Sequence, residues 1–423
     1  MKKYIKFIYI ALIAGILIFG IYEMDKINIM NISKESLQCD VITKGVKGGC
    51  AIEVDKEGNL YIAKKEAIKK ISKEGKESDI IKNPVYDIED ILYYNEKIYF
   101  ITGENLLSLN LENLEVEKLL DSIPLGGNGI KRKIFIRNGE MFFSVPSRTN
   151  SGIAEAAECD IPSVYSVLSG NNYGTNQTGF YKAYGTASKK GEIINAKPIG
   201  NSAIYRLEGK SAILFASGIR GITGIDTDKE GNIFAIFSGM KNEGLRPVNR
   251  DKDYVYKVIE GNFYGWPDYS GGDYIESPRF SGKEKVKPLL DSYLEKNIQG
   301  CIFQSNEVDK LREMAIDKNG TVFSENTMIY FDRDSNAIKS YREGFGERIL
   351  IKLSNKSYVE DIIYKDDEFL ILDSTNGFIF KIKKPSNSEG FNLPYYILTF
   401  VFIVSVISIG IVIKKITFKR KDS

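Results

Sequence analysis

The sequence contains no histidine. That absence removes imidazole acid–base catalysis, Ser-His and Cys-His nucleophile pairs and His-ligated metal sites, leaving proton transfer to Asp, Glu, Lys or Tyr. Tryptophan occurs once, as Trp266. Cysteine is sparse: Cys39, Cys50, Cys159 and Cys301 form no Cys-x-x-Cys, which argues against a zinc site. Outside the cytoplasm they could pair as two disulfides, in a pattern that sequence does not choose; buried free thiols are the other reading. Neither charge is in excess, with 58 Lys plus Arg against 56 Asp plus Glu, so the basic footprint of a nucleic-acid partner is missing.

Aromatics are plentiful instead. Tyr (25) and Phe (23), with many Ile and Val, favour β structure. Apolar runs lie near both ends: Tyr4 to Tyr22 is apolar except for Lys6, and Pro394 to Ile413 carries no charge. About 20 such residues cross a hydrocarbon core as a helix, because only internal hydrogen bonding satisfies the backbone there. The first run lacks a small-x-small cleavage site and reads as a signal anchor rather than a cleaved signal peptide. Lys2, Lys3 and Lys6 start the first run, and Lys414, Lys415, Lys419, Arg420 and Lys421 follow the second. Positive flanks stay cytoplasmic, so both termini are expected inside the cell membrane and the region between them outside.

That middle region, roughly 360 residues, is too large for one ordinary core and should be a repeat or several domains. A hairpin pattern recurs in it, most clearly as Ile52 to Ala63, Ile225 to Ile236 and Ala315 to Ser324, with weaker copies at Ile91 to Thr102, Ile134 to Val145 and Ile362 to Asp373. Each is an alternating strand, an Asp- or Asn-containing turn, mostly closed by glycine, and a second strand. The apolar residue after the turn marks each copy at Tyr61, Tyr99, Phe142, Phe234, Phe323 and Leu370, at intervals of 38, 43, 92, 89 and 47 residues. A third strand follows most copies, such as Ala67 to Gly75 and Tyr254 to Gly261. Hairpins with outer strands every 40 to 50 residues make propeller blades. The expected fold is all-β: a six-bladed β-propeller with an N-terminal and a C-terminal transmembrane helix. Its parts are an anchor (1–26), an extracytoplasmic propeller (27–384), a linker (385–393), a second helix (394–413) and a basic tail (414–423). Ile27 to Gly48 reads as a lead into the ring, and Pro146 to Ser202, rich in Gly, Asn, Ser, Thr and Tyr, as a long insertion.

Three short motifs sit in order within Ser217 to Gly272: Gly218-Ile219-Arg220, Arg246-Pro247 and Tyr264-Gly265-Trp266-Pro267. Together with Asn128 to Arg132, Pro146 to Asn150 and the last hairpin, they resemble the glucose/sorbosone dehydrogenase family, which includes the soluble quinoprotein glucose dehydrogenases. The resemblance covers about a third of the chain and implies a top-face site for pyrroloquinoline quinone, a sugar and calcium. On that resemblance Arg220 matches the arginine that polarises the quinone, Thr223 takes the place of a polar neighbour, and Asn128 stands where the family has its histidine base. The family's Asp-Glu pair reads Asp253-Tyr254, and the cations that grip the quinone in the penultimate blade have no counterpart.

General-base catalysis contributes about 10²–10⁴-fold, and an amide at position 128 cannot accept the proton. The leading expectation is therefore a ligand-binding or interaction module. The alternatives are an active quinone-dependent sugar or alcohol oxidoreductase, with Asp253 or a Tyr as base, and a metal-dependent lactonase-like hydrolase. Candidate ligand residues are Asn128, Arg132, Asn150, Arg220, Thr223, Arg246, Asp253 and Trp266; no catalytic or metal-binding residue is assigned. For Arg220 and Trp266 the competing expectation is a purely structural role, clamping loops and locking blades. Arg246 would lie on a solvated loop, and Asp55, Asp228 and Asp317 would serve turn geometry.

Overall fold

The computed structural model describes residues 30–32, 37–156, 158–282, 285–291, 298–354 and 356–385. Both apolar terminal runs lie outside the described residues, and among the described residues no helix is long and apolar enough to cross a membrane. Six antiparallel sheets form blades. Their innermost strands are Gly49–Val54, Ile88–Tyr94, Ile134–Arg137, Ile222–Thr227, Leu311–Asp317 and Val359–Lys365. Each packs against the next in order, and the sixth packs against the first, closing a ring.

The alternating sequence makes each blade amphipathic toward both neighbours. Every blade interface consequently has its own apolar cluster. Between blades six and one, for example, Val46, Ile52, Leu60 and Ile62 meet Leu370, Leu372 and Ile379. Gly224 lies where blades four and five come closest: a Cβ there would stand 2.8 Å from the amide nitrogen of Met314.

The turn aspartates act as expected. Asp55 accepts the amide N–H of Glu57 and Asn59, and Asp228 accepts that of Asn232. Asp317 does more, accepting N–H from Thr321, Val322 and Phe323. It thereby folds those residues into a loop, so the next strand begins at Thr327 and Phe323 lies before it. Val322 still reaches the core between blades five and six.

The segment before the ring is also more than a lead. Gln38–Lys44 pairs with Phe378–Lys383 as the outermost strand of blade six, and Met30–Ile32 extends the edge of blade five. The insertion after Val145 folds over blade four with a core of its own, in which Ile153, Leu168 and Phe180 pack with Met240, Trp266 and Leu289. All four cysteines are free thiols.

Candidate functional site

The axis is where the six inner strands converge, and five of them carry a β-bulge near their starts. A bulge adds a residue without a partner and re-aims its side chain. The residues so released are Cys50, Glu89, Thr223, Glu313 and Glu360, and each turns toward another blade. The Cys50 thiol donates to the Ile88 carbonyl, and the Thr223 hydroxyl donates to that of Leu311 at 2.9 Å.

The three bulged glutamates meet three successive cations at the start of blade three. Lys131 pairs with Glu360 of blade six, and Arg132 with Glu89 of blade two. Lys133 pairs with Glu313 of blade five at 2.6 Å. Arg132, one of the sequence candidates, is fully buried, so its charge is held inside the wall. Below this layer, aspartates tie neighbouring blades together at every second seam. Asp90 accepts the N–H of Ile134, Asp226 that of Ile316, and Asp361 that of Ile52, each at 2.8 Å.

A cavity of about 250 Å³ runs down the axis from these ion pairs, lined by Glu53, Asp90, Lys133, Asp226, Glu313, Lys318, Asp361 and Lys365 among others. Burial and the Asp361 charge push Glu53 up to about 8. Burial likewise pushes Glu313 up to about 7, against the pull of Lys133. Asp90 and Asp361 are both raised by burial. Burial alone would lower Lys133, but Glu313, Asp90 and Asp361 outweigh it and hold the ammonium charged. Glu313 also sits in the left-handed region, at φ 37°, an unfavourable conformation for a residue with a Cβ.

The other sequence candidates gather on the rim of blades three and four. Gly218 has φ 70° and abuts Phe263 and the amide of Gly265, so the Gly218-Ile219-Arg220 turn has no room for a side chain there. Arg220 follows, 3% exposed. Its Nε donates to the Asn150 carbonyl and its Nη1 to the Ser238 hydroxyl, both at 2.9 Å, while Nη2 has no partner among the described residues. Asn150 bridges loops: its amide donates to the Lys241 and Glu243 carbonyls and its oxygen accepts the Lys241 N–H. Trp266 is buried edge-on to Phe180. Asn128 donates to the Arg148 carbonyl, at 3.4 Å.

Arg246 does not lie on a solvated loop. It is 1% exposed, pairs with Asp268 at 2.8 Å, and donates to the carbonyls of Ser151, Pro267 and Lys287. Its fork fixes the insertion to blade four. Asp253 is equally committed: its carboxylate accepts N–H from Gly239, Asp309, Lys310 and Leu311. Burial pushes it up to about 6 while those amides pull it down. With its lone pairs so covered, Asp253 is a clamp between blades rather than a free base.

Known structures share this ring. The PQQ domain of pyranose dehydrogenase from Coprinopsis cinerea is 13% identical, with TM-score 0.56, over 84% of this chain and 97% of that one. A calcium structure of the Trichoderma reesei carbohydrate-active enzyme family AA12 gives 12% and 0.59, over 85% and 98%. The PQQ-bound aldose sugar dehydrogenase of Streptomyces coelicolor gives 10% and 0.53, over 83% and 99%. The fold is theirs. No family model and no curated protein matches the sequence.

Pyrroloquinoline quinone, named for the Coprinopsis domain and bound in the Streptomyces structure, is a tricarboxylate, and its capture calls for unengaged cations. Here Lys131, Arg132 and Lys133 are each paired with a glutamate, and Lys241 and Arg312 share Asp309. Arg132, Arg220 and Arg312 each keep one guanidinium N–H without a partner among the described residues, but Arg132 and Arg220 are buried and Arg132 and Arg312 are held by carboxylates, so the residues present do not offer the quinone a set of unengaged cations. Nor do three or more acidic or thiol groups converge as a metal site among the described residues.

Proposed function

We propose that this chain is a membrane-tethered, extracytoplasmic ligand-binding propeller rather than a working quinone-dependent dehydrogenase. The observation that carries the reading is the ion-pair layer: three consecutive cations, each neutralised by a glutamate from a different blade, close one end of the axial channel. The cavity beneath it is polar, with five carboxylates against three lysines in its lining. Such walls suit a small neutral or cationic ligand rich in hydrogen-bonding groups, such as a sugar or an amine. The tether rests on the two apolar runs and their positive flanks, which put both ends in the cytoplasm and the ring outside.

The test uses the full-length protein in detergent, incubated with pyrroloquinoline quinone and calcium and assayed for dye reduction across aldoses. No turnover is expected, while a thermal-shift screen of sugars and amines should give a ligand whose effect is lost in Asp361→Asn. Robust sugar-dependent turnover would reverse the reading. Protease added to intact cells should cut the ring but spare a tag on either terminus.

A second reading, an active oxidoreductase, is favoured by Glu313, a carboxylate with near-neutral affinity for a proton, on a left-handed bulge beside the cavity. It requires dye reduction that rises with pH through about 7 and disappears in Glu313→Gln.

A further inference from the structure

Arg220 carries a charge that its surroundings do not neutralise directly. Its two hydrogen-bond partners, the Asn150 carbonyl and the Ser238 hydroxyl, are both uncharged. A guanidinium stays protonated in proteins, and a buried charge is costly unless it is paired. Burial pulls this one below its ordinary value, and a guanidinium keeps its charge in proteins.

Beside it lies a small chamber walled by Gly218, Phe237, Ser238, Met240, Tyr256 and Trp266, with Arg220 itself in the wall. Its volume is about 20 Å³, room for one water-sized guest. We propose that this chamber, with the free Nη2 of Arg220, is a binding site for a single halide ion, chloride being the common one. A carboxylate, phosphate or quinone is too large for it.

The remaining walls agree with that chemistry. The Ser238 hydroxyl accepts a bond from Nη1, which leaves its own proton to donate to a guest. Phe237, Tyr256 and Trp266 add apolar walls that shield a guest from bulk water. The acidic groups that face Arg220 are each engaged elsewhere. Asp309 is held by Lys241 and Arg312, and Asp253 by four amides. Asp251 accepts from Met240 and Lys252 amides and the Tyr254 hydroxyl, and Glu243 lies beside Lys241. Their field still opposes an anion, so the affinity should be modest, on the order of millimolar.

Bromide, which scatters anomalously, tests the site directly in crystals of the full chain. An anomalous peak within hydrogen-bond reach of Nη2 is expected; water alone there overturns the proposal. In solution, the melting temperature should rise and saturate with chloride but not with gluconate at equal ionic strength. The chloride response should vanish in Arg220→Met. Should that variant fail to fold, Ser238→Ala, which keeps the guanidinium, should raise the half-saturating chloride several-fold. A bromide peak without a saturable chloride effect on the wild type would mean binding at crystal concentration only and would also overturn it.

Discussion

Arg132 and Arg246 are both fully buried, and the two regions they organise are built on different principles. At the axis, Arg132 belongs to a layer of ion pairs in which each cation reaches a separate blade. At the rim, Arg246 makes one ion pair and gathers backbone carbonyls from three segments. The axial layer holds together parts that already pack through apolar clusters on every side. The rim arginine anchors an insertion whose regular structure amounts to the two-residue strands Ser166–Val167 and Ile193–Ile194, the rest of its backbone being held by irregular loop hydrogen bonds such as that from the Gly179 N–H to the Thr186 carbonyl. The difference teaches that a buried charge can tune a ring or create a subdomain, and the two should respond differently to mutation.

The largest effect is expected at the rim. Arg246→Ala leaves Asp268 buried without its cation, at a cost of about 3–5 kcal/mol. Denaturant melts should show that loss, and limited proteolysis should find new cuts between residues 146 and 202. If the insertion stays resistant, Arg246 is not what holds it in place.

Lys133→Met should come next, costing about 3 kcal/mol at pH 8 because Glu313, Asp90 and Asp361 lose their shared cation. Protonating those carboxylates removes the penalty, so the cost should shrink at pH 5. A cost independent of pH would show that packing, not charge, is what Lys133 supplies. The Lys131–Glu360 pair is partly exposed, with side chains 28% and 25% accessible. A double-mutant cycle on it should return only about 0.5–1 kcal/mol.

A further effect, confined to high pH, concerns Glu53, whose proton affinity is raised in the folded state to about 8 from an ordinary 4.5. The folded ring therefore binds the extra proton between those values. Stability from this group is present at low pH and is lost as pH rises through 8. Glu53→Gln should match the wild type near pH 5 and melt several degrees higher at pH 9. An identical pH profile for both proteins would place Glu53 in freer contact with water than the cavity suggests.

Sequence and structure agree where the physics is local. Alternation and Asp- or Asn-bearing turns located five of the six hairpins, because a strand's two faces and a turn's local bonds are set by neighbours a few residues away. The sixth missed by a few residues, since Asp317 captured three successive amides and delayed the strand. What could not be read was the axis. Lys131, Arg132 and Lys133 find partners 229, 43 and 180 residues distant, through bulges that no hydrophobic pattern encodes. A signal was present in the near-repeat Ile88-Glu89-Asp90-Ile91 and Val359-Glu360-Asp361-Ile362, where paired acids interrupt apolar strands. Arg246 was misjudged because its partner Asp268 lies 22 residues on, past the Trp266-Pro267 turn.

The strand that completes blade six comes from the start of the ring, and its register sets Gln38 opposite Lys383. The chain therefore enters and leaves side by side, like the two ends of a clasp. Tension applied between those ends would peel this strand pair open one rung at a time instead of shearing all its hydrogen bonds together. The seam, with the short Met30–Ile32 pairing to blade five that precedes it, is the mechanical fuse of the ring, where a pull on its two ends would be felt first.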